Sequence, residues 1–542
     1  MNRLRLFSLM VLCLFVAGLG THFPSRSAAA EPKLNYFFPA GATRGKTTQV
    51  NASGTFGNWP VQAWVNRPGL TVTAAEKKGQ LQIEVDAQAT GGIYWVRLFD
   101  KEGASSLRPF LVDSLPEQLE TEPNDSPKDA QAIVLPQIVN GKLSKKGEVD
   151  GFAVQLKQGE TLVASLEGNF FLNSPMDSVL QLTDAQGYVI QQNNDARGLD
   201  PQIIYTAKTD GTYLVRAFAF PSAPNSTIGF AGADTYLYRL TLTTGPYLDH
   251  SIPLVALTNE PTAVELVGWN LPKTLTKKLL SADEAAHGFV SHPDVAGYWP
   301  LSNSNSFKMI TESKPEDDQA QLLSLPVIIS GKLALKGEKD RYRFQATKGQ
   351  KISFKLRSHS IGFPLDAVIE IIDPAGKSAE YDDASKLKDP VVSYTVKSDG
   401  ELQVVVKDLH GRGGLRFPYE LTVSEVRPDF TLTVDSDLSK IKSGESQEIT
   451  VKVNRTDGFK LPIEIQAIDL PEGITMTPVT SSGEGDTAKE VKLKLTATKE
   501  SASGAFRIQG KATAEESTIS HNARFTIKDR SDTLDWLWVT VE

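Results

Sequence analysis

The feature that most constrains this chain is that it repeats itself. PQIVNGKLSKKGEVDGFAVQLKQG (136–159) aligns without a gap to PVIISGKLALKGEKDRYRFQATKG (326–349), with 11 identities in 24 positions at a constant offset of 190. The correspondence continues with small slips. MDSVLQLTDAQG (176–187) faces LDAVIEIIDPAG (365–376), Asp210-Gly211 faces Asp399-Gly400, and YRLTLT (238–243) faces YELTVS (419–424). The closing offset is 181, so the first copy carries a longer loop, FPSAPNSTIGFAGAD, before its last strand. A weaker duplication precedes each copy: Pro39, Val50 and Gly54 recur as Pro253, Val264 and Gly268, all at offset 214.

Inside these units the pattern is that of strands. KISFKLRS, ELQVVVKD, EVKLKLTAT, QEITVKVN and YLYRLTLTT place apolar residues at every second position, with Gly, Pro, Asn-Asp and Asp-Gly between them. Helical periodicity is scarce, with its best candidates near 273–287 and 124–133. A chain of 542 residues is too long for one core. The expected fold class is therefore all-β, a string of tandem β-sandwiches. The expected layout is an immunoglobulin-like domain at 31–115, the first repeat at 116–245, a small immunoglobulin-like domain at 246–308, the second repeat at 309–427 and a last immunoglobulin-like domain at 428–542.

Residues 1–30 stand outside that layout. Arg3 and Arg5 precede LFSLMVLCLFVAGLG, an apolar run of 15, and then SAAAEP. A basic start, a run short of the ~20 residues that a span needs, and Ala28 and Ala30 at small-residue positions read as a signal peptide cleaved after Ala30. The chain is expected to be secreted or periplasmic, with no membrane span after cleavage. Its only cysteine, Cys13, lies in the leader, so the exported part has no disulfide to staple it and depends on packing or bound ions. The leader holds three Arg and no acid, leaving 54 basic and 65 acidic residues and a net charge of −11. Nucleic acid is a poor partner for such a chain.

The order of motifs carries a resemblance. E-x-E-P-N-D is followed by a Gly-Lys-Leu turn and by Gly-Glu-x-Asp before an aromatic. Then come L-x-D-x-x-G, Asp-Gly-Thr-Tyr and a closing Tyr-Arg-Leu strand. This resembles the bacterial pre-peptidase C-terminal domain, a β-sandwich module found beside secreted peptidases, over 116–245 and in degraded form over 309–427. The opening phrase YFFPAGATRG resembles immunoglobulin-like units of large secreted planctomycete-type proteins. The first resemblance implies a non-catalytic module, in some relatives holding structural calcium through an acidic N-terminal segment. Carried over by motif, the ligands are Glu120, Glu122, Asn124 and Asp125, with Asp150 from the Gly-Glu-x-Asp turn. Glu148 stands where the family more often has Asp, and a longer acid there shifts or loosens a ligand.

The residues of ETEPNDSPKDAQ (120–131) leave two readings open. One is a cage of oxygens for a hard cation, which needs six to eight ligands converging from a bent segment. The other is a polar linker in which Asn124 or Asp125 caps a short helix over SPKDAQ. At the constant offset of 190, Glu122 maps to Glu312 and Asp150 to Asp340, while Glu120, Asn124 and Asp125 map to Ile310, Lys314 and Pro315. On that register the site is expected in the first repeat only.

Catalytic signals are few. The six histidines of the exported part are scattered, and His287 and His292 are five apart, not the four of a zincin helix. There is no GxSxG elbow, Walker loop or cysteine nucleophile. HGRGGLRF (410–417) reads as a hairpin loop. Trp64 and Trp95 lie in alternating runs and are expected in a core, whereas Trp59 in FGNWP is the best candidate for exposure. The leading functional expectation is a non-catalytic binding, adhesion or spacer protein acting on an extracellular protein or polysaccharide. The alternative is an exported hydrolase or peptidase-associated protein with a carboxylate site.

Overall fold

A computed structural model describes residues 30–223, 229–304, 307–312, 320–382, 389–514, 517–527 and 533–542. The expected leader lies outside these residues except for Ala30, as do Lys314 and Pro315.

The two repeats have one topology. In the first, one sheet runs Glu117–Leu119, Gln137–Lys142, Leu237–Thr243, Thr161–Glu167, Gln202–Thr206. The facing sheet runs Gln131–Ile133, Asp150–Leu156, Gly211–Pro221, Met176–Asp184, Val189–Asn193. In the second repeat the same path is traced by Lys308–Thr311, Val327–Lys332, Pro418–Glu425, Lys351–Arg357, Val391–Thr395 and by Gln321–Leu323, Lys339–Ala346, Gly400–Asp408, Ala367–Ile372, Ser378–Tyr381. Alternation explains why. In KISFKLR the inward Ile352, Phe354 and Leu356 are buried while Lys351, Lys355 and Arg357 face water. Each repeat has its own core, Phe152, Leu162, Leu180 and Leu240 in one and Phe344, Phe354, Ile369 and Leu421 in the other.

The first and last units are also two-sheet sandwiches; the first has its own core, and that of the last is continuous with Ile93, Trp95, Leu107 and Leu111 of the first unit, Phe171 and Tyr298. The middle segment forms a five-stranded sheet with a two-stranded ribbon, Val255–Leu257 beside Ser302–Ser304. Phe363 of the second repeat completes its core. The weaker duplication has a structural basis. Lys33–Phe38 pairs Thr47–Thr55 with a bulge between Leu34 and Tyr36, and Tyr247–Ile252 pairs Thr262–Trp269 with a bulge between Leu248 and His250, at the same offset of 214. A Cβ on Gly54 would lie 1.9 Å from Lys33 O, and one on Gly268 1.9 Å from Tyr247 O, so both bulges demand glycine.

Two expectations are corrected. Residues 124–130 form turns, not a helix, and Gln131–Ile133 is a strand paired in parallel with Asp150–Leu156. Ladder pairing outweighs the weak helical preference of SPKDAQ, which keeps a single turn with Asp129 N–H bonding Ser126 O at 3.0 Å and a Ser126–Asp129 side-chain bond. The 273–287 stretch is broken into Lys273–Leu275, the strand Lys277–Leu280 and a helix Ala282–Ala286, which starts at a Ser281–Glu284 capping box.

The units do not lie in an open string. The last sandwich folds back on the first, with Arg97 ion-paired to Asp437, Lys440 Nζ donating to Glu102 O at 2.7 Å, and Trp64 edge-on to Trp536 and Trp538. Trp95 is buried as expected, and Trp59 is half-buried with its indole N–H bound to Ala75 O.

Candidate metal centre

Backbone pairing builds this site. Glu117–Leu119 runs parallel to Gln137–Lys142, and the ladder extends one residue as Glu120 N–H bonds Asn140 O at 3.0 Å. This sets Glu120 beside Lys142, whose N–H donates to Glu120 Oε1 at 2.7 Å. The chain then bends through Pro123. Asn124 N–H donates to Glu122 Oε2 at 3.1 Å, and Gly151 N–H donates to Asn124 O at 3.0 Å. The bend is thus stitched to the start of the strand that carries Asp150. A Cβ on Gly151 would stand 3.0 Å from Asn124 O, so glycine there allows the approach. The second repeat has Arg341 at that position.

Four of the five expected ligands, Glu120, Glu122, Asp125 and Asp150, come together, and Glu148 joins them. Carboxylate oxygens of Glu120, Glu122 and Asp150 lie within 4.8 Å of one another, and so do those of Glu122, Asp125 and Glu148. Glu122 belongs to both groups. Asn124 is fully buried, and neither its Oδ1 nor its Nδ2 has a hydrogen-bond partner; Asp150 Oδ1 is buried and unpartnered too. Buried polar atoms are ordinarily paired, so orphaned oxygens beside two carboxylate groups fit a cation. The donors are all oxygen, the chemistry that suits calcium rather than a soft metal. Asp125 is partly exposed and lies 3.5 Å from Lys145 Nζ, which is also 3.5 Å from Glu148 Oε1. This ammonium occupies the outer side of the acidic cluster.

Protons balance the inner side. Burial pushes the Asp150 carboxyl up to about 9, with the Glu120 charge adding to the effect, and pushes Glu120 up to about 7. Tyr238 Oη lies 2.8 Å from Glu120 Oε2 and 2.5 Å from Asp150 Oδ2. A phenol has one proton, so a carboxyl proton must supply the second short contact. A Cβ on Gly141 would sit 2.2 Å from the Tyr238 ring and 2.4 Å from Glu120 Oε2, which explains the glycine of the Gly-Lys-Leu turn.

The second repeat corrects the register. Glu312 N–H bonds Ser330 O at 2.9 Å, and Lys332 N–H donates to Glu312 Oε2 at 3.0 Å. These are the bonds Glu120 makes, so Glu312 is the counterpart of Glu120 and the local offset is 192. The slip arises because the following loop is two residues shorter there, which gapless counting from the later strand cannot detect. In sequence this register pairs Pro123 with Pro315, Glu122 with Lys314, Asn124 with Glu316 and Asp125 with Asp317. Glu312, Glu338 and Asp340 form an acidic group of their own, with carboxylate oxygens again within 4.8 Å. Tyr342 replaces Phe152, and its hydroxyl lies 2.6 Å from that of Tyr419, which donates to Asp340 at 2.7 Å.

Tyr238, Gly141 and Gly151 were not in the expected set, and Glu148 was named only as a departure from the family's Asp. The identity of Gly-Glu-x-Asp in both copies was the available signal for Glu148. Nothing in the sequence connects Tyr238, 88 residues from Asp150, to the cluster.

No family model matches the chain. It is 26% identical over 217 residues to a probable subtilase-type serine protease of Deinococcus radiodurans, a match covering 36% of this chain and 30% of the protease. The chain thus spans under a third of that relative's length. Among solved structures, the pre-peptidase C-terminal domain of a collagenase from Bacillus anthracis is matched over its whole length and 21% of this chain, at 17% identity and a TM-score of 0.17. The N-terminal four immunoglobulin domains of Dscam1 isoform 6.9 match over 92% of this chain and 99% of that one, at 10% identity and a TM-score of 0.17. The chain is an all-β protein of tandem β-sandwiches, similar in part to a pre-peptidase C-terminal domain and to immunoglobulin-like domains.

Proposed function

We propose that this is an exported, non-catalytic, multi-domain accessory protein that binds an extracellular protein or polysaccharide, and that its first repeat is stiffened by calcium. The observation that carries the calcium reading is Asn124, fully buried with an unpartnered amide beside two carboxylate groups that share Glu122. Glu120, Glu122 and Asp150 would hold one side, and Glu122, Asp125 and Glu148 the other. The cation would replace protons on the inner carboxyls and compete with Lys145 for the outer ones.

Two surface depressions lie outside the acidic cluster. The first is lined by Ala52–Phe56, Lys78 and Gly79, with no acid in its wall. The second contains Asp435, Asp437 and Glu448, but these are ion-paired with Lys452, Arg97 and Lys492. No helix among the described residues is long and apolar enough to cross a membrane.

The test is the thermal melt of the full chain in calcium, magnesium and EDTA. Calcium at a hundredfold excess over its Kd is expected to stabilise by about 2.7 kcal/mol. Glu122→Ala should abolish the response, because both groups lose a ligand. A calcium-insensitive melt sinks the metal reading, and a response kept by Glu122→Ala sinks the assignment.

A further inference from the structure

Among the described residues four arginines are buried: Arg67, Arg97, Arg197 and Arg239. Three meet a carboxylate. Arg97 pairs with Asp437, Arg197 with Asp249, and Arg239 with Glu117 and Glu167. Arg67 is 8% exposed, yet its Nε, Nη1 and Nη2 have no hydrogen-bond partner. An uncompensated buried charge is costly, so something must offset it.

Part of the offset is aromatic. The guanidinium carbon lies 3.8 Å from the Tyr94 ring centroid and 5.3 Å from that of Phe289. Tyr94 belongs to the first sandwich and Phe289 to the middle sheet, so Arg67 sits in the seam between them. The seam is firmly set. The Phe289 ring packs on Gly92, where a Cβ would meet it at 2.7 Å, and Gly91 N–H donates to Ser291 Oγ at 2.9 Å. Asn66 holds the turn before Arg67, its N–H bonding Trp95 O at 3.1 Å and its Oδ1 accepting from Trp95 N–H at 2.8 Å.

Rings satisfy a guanidinium only through its faces. Its N–H groups point outward in the plane and need acceptors, which two neighbours cannot supply. Arg44 Nε and Nη2 are themselves buried and unpartnered, and so is His287 Nδ1. Both arginines act on Tyr94, and Arg67 acts on His287. Burial, opposed only by the two tyrosines Tyr94 and Tyr298, pushes Arg67 down to about 10. Asp113 and Asp294 act on Arg44, but among the described residues no carboxylate pairs with Arg67.

We propose that this seam is a binding site for a small oxyanion, held on the edge of the Arg67 guanidinium with Arg44 as the second cation. A guanidinium fork matches a carboxylate or one face of a sulfate or phosphate through two parallel N–H···O bonds. The half-buried ring of Phe289 is the contribution of the middle sheet to the site. The role is to tie the first sandwich to the middle sheet, since the cations come from one and this ring from the other. The site is separate from the acidic cluster and does not depend on the calcium reading.

The experiment is a thermal melt of the full chain in low-millimolar sulfate or acetate, against chloride at equal ionic strength. Either oxyanion is expected to raise the melting temperature above the chloride control, and Arg67→Met to lose the increment. Preference for acetate or for sulfate reports which anion shape the site takes. No increment in the wild-type chain, or the same increment in Arg67→Met, overturns the proposal. Should Arg67→Met not fold, crystals of the wild-type chain soaked in selenate or in bromopropionate decide the matter. Anomalous density within hydrogen-bond reach of Arg67 supports the site, and density for neither probe overturns it.

Discussion

Asp249 and Arg416 meet in the interior, with Arg416 Nε 3.1 Å from Asp249 Oδ2, although 167 residues separate them. Arg197 reaches the other oxygen of the same carboxylate at 3.3 Å. Asp249 belongs to the middle sheet, Arg197 to the first repeat and Arg416 to the second. A single buried carboxylate thus fastens both repeats to the segment between them. Burial alone would raise its pKa, but Arg416, His250 and Arg197 outweigh that and hold it well below the carboxylate range.

Removing this carboxylate leaves the buried Arg197 and the half-buried Arg416 without this counter-charge. Asp249→Ala should cost about 3–5 kcal/mol in urea denaturation. The depressed pKa means that the clamp is at full strength above the unfolded value near 4 and weakens as pH falls below it. A loss confined to pH values above 7 would contradict the assignment.

The inner acids titrate the other way. Asp150 near 9 and Glu120 near 7 keep protons that the unfolded chain gives up at about 4. Without metal the folded state binds more protons over this window, so stability falls as pH rises from about 4 to 9. Asp150→Asn should flatten the upper part of that slope in melts run in EDTA.

Calcium must displace those protons. Its affinity, read by titration calorimetry, should rise by ~100-fold per pH unit below 7, where two protons leave, and ~10-fold per unit between 7 and 9, where one does. A pH-independent affinity would place the metal elsewhere.

Lys145 competes with the cation at the outer acids. Lys145→Met should tighten calcium binding by a few-fold at low salt, about what an exposed ion pair contributes, and the gain should shrink as salt is added. Weaker binding in this variant would mean that Lys145 supports the site.

Gly141 and Gly331 offer a paired control. Alanine at either would collide with a tyrosine, Tyr238 or Tyr419, at 2.2 or 2.3 Å, and should cost about 1–3 kcal/mol. Only Gly141→Ala should also reduce the calcium response, because only there does the displaced ring touch the proposed ligands. An equal effect of Gly331→Ala on calcium binding would point to a second site on Glu312, Glu338 and Asp340.

The all-β class, the duplicated repeats and the offset-214 hairpins were legible in the sequence, because strand alternation and glycine demands are local. Glu120 to Asp125 could be named for the same reason: a bent run of oxygen donors is visible in one segment. Local pattern failed where pairing between distant strands decided the outcome. It suggested a helix at 124–133, where Gln131–Ile133 instead completes a sheet edge, and it slipped by two residues between Glu120 and Glu312. The sequence by itself determined which residues face inward along each strand. Only the tertiary structure decided that Tyr238 lies between Glu120 and Asp150, that Asp249 fastens three units and that Arg67 is buried without an acid. These depend on groups brought together from far along the chain, and their separation and burial together set how strongly they act on one another.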